Sequence, residues 1–282
     1  MGKITAVNWA DHSWTPWEGC TRRSEGCLHC YAERRDGRNL SGTGSHWGPG
    51  MKRKQMSQAN WKQPPSWDRA AARNGTRPIV LAGELCDWCD KDPGVPAGDR
   101  DRMFELIGST PHLIWALLTK RTEYIRELLP ATWGDGWENV MLGTTVECRD
   151  RLCRLDELRS IPAKARYLSI EPLNENLGEL DLTGFNWVIC GGESGTGARP
   201  FHAEWAESIL EQCRRYQVPF WMKQLGGSAY YQGTKLNLTD LNKSDGSYKS
   251  KSGENWDRWP EWLSHLKIRQ KPLIQTESSR AA

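Results

Sequence analysis

The chain has 282 residues, enough for one large α/β domain or two small ones, and its 38% hydrophobic content argues against intrinsic disorder. Its formal net charge of +3 neither requires nor excludes a nucleic-acid partner, which only a clustered basic patch would indicate. No stretch is long and apolar enough for a membrane span or a signal peptide, so we expect a cytoplasmic protein. In that reducing compartment, nine cysteines indicate metal ligands and free thiols.

Apolar runs rich in β-branched residues alternate with helix-like stretches along the chain. The predicted strands are residues 78–85, 113–119, 140–146, 165–171, 186–190 and 219–223. The predicted helices are residues 31–38, 57–73, 99–109, 122–129, 148–161 and 203–216. Such alternation implies βαβ units, and the near-continuous apolar strands imply a parallel sheet covered on both faces. The expected fold class is therefore α/β, with a partial or complete barrel.

Two regions interrupt this alternation. Residues 37–77 contain Gly-rich and Pro-rich stretches, which indicate a cap or insertion within an α/β barrel domain of residues 1–225. Residues 226–282 form a polar C-terminal extension. There Trp256, Trp259 and Trp262 are spaced for a docking helix, and a frayed tail is expected from about Gln275.

Ionisable residues follow the predicted strands. Parallel α/β folds bind ligands at the carboxyl ends of their strands, so these residues are expected to converge on one rim. For any one of them a solvated loop charge is an equally good interpretation, but less so for all six together. They are Glu84, Lys120, Glu147, Glu171, Glu193 and Lys223.

Cys20, Cys27 and Cys30 form the sharpest motif. Two residues separate Cys27 from Cys30, so one tight turn can direct both sulfurs at one metal. A predicted helix follows, and its N-terminus favours the negative charge of a polynuclear iron site. Three thiolates on a [4Fe–4S] cluster leave one iron open for a small molecule. In radical S-adenosylmethionine (SAM) chemistry that molecule is SAM.

Other metal chemistry fits the same spacing. A structural zinc site is the main alternative, with the three cysteines and His29, His12 or His46 as ligands. Unrelated buried thiols are a further one. The second CxxC motif, Cys86-Asp-Trp-Cys89, is interpreted as half a zinc site, a redox pair, or an accidental spacing in a strand-end loop. An accident or a loop near the substrate is the favoured interpretation.

Distinct short motifs are spread over most of the chain, from Asn8 to about Gly226. They are Trp14-Thr-Pro-Trp-Glu-Gly-Cys20, Gly26-Cys-Leu-His-Cys-Tyr-Ala-Glu33, Trp47-Gly-Pro-Gly50, Ala59-Asn-Trp61, Leu117-Leu-Thr-Lys-Arg121, Gly143-Thr-Thr-Val-Glu147, Leu168-Ser-Ile-Glu-Pro-Leu173, Trp187-Val-Ile-Cys-Gly-Gly-Glu-Ser-Gly195, Ala198-Arg-Pro200 and Pro219-Phe-Trp-Met-Lys-Gln224. In combination they resemble a phage and bacterial family of uncharacterised three-Cys-motif proteins similar to radical SAM enzymes. The resemblance implies a TIM-barrel-like radical SAM fold, a [4Fe–4S] cluster, SAM and an external electron donor.

The resemblance also implies SAM contacts. The residue before the third cysteine often touches the adenine of SAM in such proteins, and here it is His29. A glycine-rich turn would let SAM approach the backbone, and Glu193 would accept a hydrogen bond from its amino group or ribose. That turn consists of Gly191, Gly192, Glu193 and Ser194. Glu84, in Ala82-Gly-Glu84, is the rival to Glu193, because the Gly-Gly-Glu of radical SAM enzymes usually closes an earlier strand.

Phage members of such a family suggest hypermodification of DNA bases, in the cytoplasm of the host cell. The leading hypothesis is an isomerase or mutase that rearranges an amino-acid-decorated thymidine, such as glycyl-thymidine. The candidate catalytic residues would bind the charged ends of the amino-acid substituent, contact SAM, or form salt bridges with one another. They are Glu147, Glu171, Lys120 and Lys223.

A basic run supports a DNA partner. Met51-Lys-Arg-Lys-Gln55 lies beside Trp47 and Trp61, and Arg69, Arg73 and Arg77 follow. Basic groups interleaved with aromatic ones hold phosphates and stack bases, and a base in duplex DNA must also be extruded. A solvated surface is the plain alternative.

Two further functional classes stay open. One is a radical SAM enzyme that acts on a peptide, tRNA or small metabolite, and the other is a zinc or iron–sulfur nucleic-acid-binding protein without catalysis.

Overall fold

The computed structural model describes residues 7–39, 45–195, 197–236, 256, 259–272 and 274. The chain forms two compact units. The first comprises Met1–Thr144 and Glu157–Arg166, and the second comprises Thr145–Asp156 and Tyr167–Ala282. The predicted boundary between residues 225 and 226 stays a prediction.

The described residues contain strands, α-helices and 3₁₀ turns. The strands are β1 (His12–Trp14), β2 (Trp17–Glu18), β3 (Lys54–Gln55), β4 (Ile79–Ala82), β5 (Ile114–Thr119), β6 (Val140–Thr145), β7 (Ala165–Ile170), β8 (Trp187–Gly191), β9 (Phe201–His202), β10 (Phe220–Gln224), β11 (Ala229–Tyr231) and β12 (Thr234–Lys235). The α-helices are α1 (Tyr31–Asn39), α2 (Gln58–Trp61), α3 (Gln63–Asn74), α4 (Asp99–Gly108), α5 (Ile125–Leu128), α6 (Cys153–Arg159) and α7 (Ala203–Arg215). The 3₁₀ helices are Glu25–Cys27, Thr122–Tyr124, Arg149–Arg151 and Glu261–Leu266.

A parallel sheet organises the first unit. β1, β4, β5 and β6 pair in that order, and each pairing is parallel. Ala82 of β4 is in register with Trp14 of β1 and with Leu117 of β5. Every residue of β4 and of β6 is buried, as expected of parallel strands covered on both faces.

Parallel strands also organise the second unit. β7, β8 and β10 pair in that order and run parallel. Helix α7 buries one face of regularly spaced apolar residues, including Ile209, Leu210 and Cys213. A smaller sheet contains β9, β11 and β12.

The six predicted strands are confirmed as β4 to β8 and β10, and each begins within one residue of its predicted start. The α/β class is therefore confirmed. The predicted helix over residues 57–73 is divided into α2 and α3. Ser57 caps α2 by accepting a hydrogen bond from the Asn60 amide, and a proline stands in the first turn of α3, where its missing N–H costs nothing.

The predicted insertion packs its aromatic side chains beside β1. Trp61 lies edge-on to Trp14 at 5.0 Å between ring centroids, and Trp67 stacks on His12 at 4.2 Å. Both insertion tryptophans are buried. In the first unit, β3 pairs antiparallel with β2.

The C-terminal docking helix predicted over three tryptophans stays a prediction, because residues 257 and 258 lie outside the described ones. A 3₁₀ turn, Glu261–Leu266, follows Pro260. Trp259 is buried, whereas Trp262 is 47% exposed and stacks on Tyr231. Residues from 275 onward lie outside the described ones. Within the described part of the chain, we find no helix with the length and apolarity needed to cross a membrane.

Candidate functional site

The cysteine motif occupies the segment between β2 and α1. Residues Glu25–Cys27 form a 3₁₀ turn, and the Cys30 amide donates to the Cys27 carbonyl at 3.2 Å. The Arg23 amide donates to the Cys27 sulfur at 3.4 Å. Helix α1 begins directly after Cys30. The local structure thus has the tight turn and the following helix that the cysteine spacing predicts.

The thiols of the motif have a shared environment. All three are free and partly exposed. Cys20 and Cys30 pack against one buried cluster, which consists of Ala32, Trp47 and Leu85. Arg22 pairs with Glu33 at 2.8 Å; this carboxylate, and then the nearby thiols of Cys27 and Cys30, raise the pKa of Arg22.

Arg53 supports the cysteine segment from within. This arginine has no exposed surface. Its Nη2 atom donates to Thr21 Oγ1 at 2.6 Å and to Asp90 Oδ2 at 2.9 Å. Its Nη1 atom donates to the carbonyl oxygens of His46, Gly48 and Met51 at 3.0, 2.9 and 3.0 Å.

A second buried arginine, Arg121, reaches the motif itself. Its Nη1 atom lies 2.8 Å from Asp87 Oδ2 and 3.7 Å from the Cys20 sulfur, and its Nη2 atom donates to the Thr21 carbonyl at 2.5 Å. Burial, together with Asp87, raises the pKa of Cys20 to about 12, while Arg121 opposes this shift. A cation beside Cys20 therefore favours its thiolate form, the form that binds metals.

The second CxxC motif supplies carboxylates to this network. Asp87 and Asp90, which lie in and after the motif, bind the two buried arginines. Cys89 is fully buried, and burial raises its pKa well above the usual value. Cys86 accepts a hydrogen bond from Thr15 Oγ1 at 3.3 Å. These surroundings favour the interpretation of the cysteine spacing as accidental.

The other site residues predicted in the first unit are partly exposed. They are His29 in the cysteine turn, Glu84 after β4 and Lys120 after β5. The Tyr31 hydroxyl donates to the Glu84 carbonyl at 2.7 Å, which ties the start of α1 to the end of β4. The Lys120 amide donates to Asp87 at 3.1 Å.

In the second unit, Glu147 is enclosed by an ion pair, and its catalytic role stays a prediction. Glu147 has no exposed surface and forms a 2.9 Å ion pair with buried Arg154. Arg154 thus supplies the cation that the buried Glu147 carboxylate needs. Lys223 and Glu171 do lie together at the ends of β10 and β7, with 2.5 Å between Nζ and Oε1. Gln224 Nε2 donates to the same oxygen at 3.0 Å.

The glycine-rich turn after β8 packs closely against the backbone that follows β10. A Cβ added at Gly192 would lie 2.3 Å from the Leu225 carbonyl oxygen, so the backbone itself requires glycine. Glu193 is buried and bound by Arg199, at 2.9 Å from its amide and 2.7 Å from its Nη2. Ser194 is partly exposed. Close packing thus explains the glycine at position 192. A SAM contact at this turn stays a prediction. The convergence of the six strand-end charges on one rim also stays a prediction.

The basic and aromatic patch predicted to bind DNA needs correction. Arg53 is wholly engaged inside the protein, and Trp47 and Trp61 are buried, so none of the three can contact a phosphate or a base. Lys54 is exposed but pairs with Glu18 at 3.0 Å. The exposed cations that remain include Lys52 and, on α3, Arg69 and Arg73.

Sequence reasoning missed the buried charges Arg53, Asp87, Asp90 and Arg121. One signal was available: Asp87 and Asp90 lie just after an apolar strand, where a buried carboxylate needs a cation. Among the described residues, no group of three or more His, Cys, Asp and Glu side chains is placed to hold a single metal ion.

Solved structures define the class of fold. A mutant spore photoproduct lyase with bound AdoMet and dinucleoside spore photoproduct is similar with a TM-score of 0.50, at 13% identity over 95% of this chain and 74% of the lyase chain. A second mutant of that lyase has a TM-score of 0.49 at the same identity and coverage. The first likeness confirms the α/β, TIM-barrel-like fold expected of a radical SAM protein. A search of curated proteins found no match.

The family follows from a match over most of the sequence. The chain belongs to the family described as "Protein of unknown function (DUF5131)", which matches residues 4–260. The family description names no activity, so the radical-SAM-like function stays a prediction.

Proposed function

We propose that this protein is a radical SAM enzyme that holds a [4Fe–4S] cluster on Cys20, Cys27 and Cys30 and acts on a nucleobase in DNA. The cysteine turn carries the proposal: three free thiols flank one hydrogen-bonded turn directly before a helix. The fold likeness to a lyase whose structure holds AdoMet and a dinucleoside supports both the cofactor and the substrate class.

The chemistry of the donors fits such a cluster. Thiolates are its usual protein ligands, and each binds a different iron, so the sulfurs do not need to meet at one point. Arg22 and Arg121 lie beside the sulfurs and offset the negative charge that a thiolate-bound cluster brings. When bound, the cluster and SAM supply a 5′-deoxyadenosyl radical, and the protein must orient it and exclude water.

Residues beside the cysteine turn would orient SAM, and a charged pair in the second unit would bind the substrate. His29 lies inside the cysteine turn, where it would contact the adenine of SAM. The Tyr31–Glu84 hydrogen bond would hold the start of α1 in place while SAM binds. The Lys223–Glu171 pair could separate to bind the ammonium and carboxylate of a substrate, because each side chain keeps 17% of its surface exposed.

A modified thymidine in DNA is the proposed substrate, and a radical isomerisation of its amino-acid substituent is the proposed reaction. The dinucleoside bound by the similar lyase supports a nucleoside substrate. On this chain, the exposed face of α3 is the proposed phosphate contact, with Arg69 and Arg73 one helical turn apart.

Metal analysis tests the proposal. The protein is purified without oxygen and reconstituted, and iron, sulfide and zinc are measured with the visible spectrum. We expect about four iron and four sulfide per chain. We expect their loss in Cys27→Ala and their retention in Cys153→Ala, which removes an exposed thiol outside the motif. SAM and dithionite should then yield 5′-deoxyadenosine, and a modified-thymidine oligonucleotide should be altered.

Other outcomes would redirect the assignment. One bound zinc without sulfide would contradict the radical mechanism. SAM cleavage without any binding of DNA would favour a peptide, tRNA or small metabolite as substrate.

A further inference from the structure

One guanidinium links the cysteine motif to the buried carboxylates. Arg121 Nη1 is shared between the Cys20 sulfur at 3.7 Å and Asp87 Oδ2 at 2.8 Å, while Nη2 binds the Thr21 carbonyl at 2.5 Å. The side chain is only 6% exposed. The guanidinium therefore contacts the sulfur of the first cysteine and the backbone immediately after it.

The surroundings fix this guanidinium in position. Asp87 accepts further hydrogen bonds from Thr119 Oγ1 at 2.6 Å and from the Cys89 amide at 3.0 Å. The Arg121 amide itself donates to Thr119 Oγ1 at 2.9 Å. Rotation of Arg121 away from Cys20 would leave Asp87 without its buried cation, which is costly.

We propose that Arg121 is a positioning residue that sets the reduction potential of the cluster through the Cys20 sulfur. The inference rests on the proposed function, because it requires a cluster ligated by Cys20. Reduction adds one negative charge to the cluster. An N–H directed at a ligand sulfur stabilises the reduced form more than the oxidised form, and so raises the potential. Asp87 offsets part of the arginine charge, but the N–H remains directed at the sulfur.

A redox titration followed by electron paramagnetic resonance tests this role. The reconstituted wild type is compared with Arg121→Lys, whose ammonium cannot bind the sulfur, the carboxylate and the carbonyl together. At a fixed potential we expect a roughly tenfold lower ratio of reduced to oxidised cluster in the variant, which corresponds to about 59 mV for a one-electron couple.

Arg100→Met is the matched control. Arg100 binds the Trp88 and Asp90 carbonyls of the same carboxylate segment, at 2.9 and 2.5 Å, and is partly buried. We expect this variant to keep the wild-type potential. A second variant, Asp87→Asn/Arg121→Gln, removes both charges of the pair, so neither partner is left as an unpaired buried ion. It replaces Arg121→Lys if that protein fails the folding check by circular dichroism.

The outcomes separate the two proposals. A wild type without iron and sulfide would overturn the proposed function, and the inference with it. The inference alone would be overturned if the wild type holds its cluster and the folded Arg121 variants have the same iron content and the same reduction potential. Loss of iron from a folded Arg121 variant, but not from Arg100→Met, would support the positioning role.

Discussion

Arg53 and Asp90 form an ion pair that is almost entirely enclosed, with 2.9 Å between Nη2 and Oδ2 and side-chain exposures of 0% and 3%. Truncation of Arg53 would remove the nearer cation from buried Asp90 and leave it with the more distant Arg121, at 3.6 Å. We expect Arg53→Ala to lower the free energy of unfolding by about 3–5 kcal/mol. The neighbouring exposed lysine gives the control, since Lys52→Ala should change it by less than about 0.5 kcal/mol. Urea denaturation measures both, and equal effects would contradict the structural role of Arg53.

DNA binding should depend on the exposed face of α3. If Arg69 and Arg73 contact phosphates, Arg69→Ala/Arg73→Ala should weaken DNA binding and reduce the slope of log affinity against log salt by about two. Fluorescence anisotropy at several salt concentrations measures this slope. The double variant Arg214→Ala/Arg215→Ala removes two exposed arginines of α7 and should leave the slope unchanged. An equal loss in both double variants would argue against a specific contact at α3.

The close approach of two backbones makes Gly192 sensitive to substitution. In Gly192→Ala the added Cβ would meet the Leu225 carbonyl oxygen at 2.3 Å, so we expect a loss of about 1–3 kcal/mol of stability. Gly37 lies on α1 with no atom within 4 Å of an added Cβ. There Gly37→Ala should instead stabilise the protein by up to about 1 kcal/mol through helix propensity. Thermal unfolding distinguishes the two, and a harmless Gly192→Ala would contradict the observed packing.

Substrate binding at the ends of β7 and β10 can be separated from SAM cleavage. If Glu171 and Lys223 hold the substituent of the substrate, Lys223→Met should lower turnover by roughly 10–100-fold, as expected for a lost charge-assisted contact. Formation of 5′-deoxyadenosine without substrate should persist. Lys164→Met, which removes an exposed lysine paired with Glu138 in the first unit, should change neither rate. Equal losses of both activities in Lys223→Met would place Lys223 in SAM binding instead.

The strands could be predicted because each is a continuous apolar run, whereas β1 has only three residues and two of them are incompletely buried. The cysteine turn was also predictable, because its hydrogen bonds join residues close in the sequence. The arginines behind it were not. Arg53 lies between two exposed lysines, and nothing in Met51-Lys-Arg-Lys-Gln55 distinguishes the buried cation from its neighbours. Its carboxylate partner, Asp90, lies 37 positions later and reaches it only through the tertiary structure.

The exposure of individual side chains could not be predicted from the sequence either. Glu147 ends an apolar strand, as a catalytic carboxylate often does, yet Arg154 encloses it. Trp47 and Trp61 resemble stacking residues in the sequence, but they fill the interior of the first unit. Exposure depends on which elements pack together, and residue type alone does not determine it.

The Gly48 amide donates to the Cys20 carbonyl at 3.0 Å, and Arg53 binds both Thr21 and the carbonyl of Gly48. Residues 45–53 of the insertion therefore brace the cysteine segment and are not a detachable accessory. A homologue with a shorter or exchanged insertion would need a different way to brace its first cysteine. Chimeric proteins should accordingly transfer the insertion and the cysteine turn as a single block.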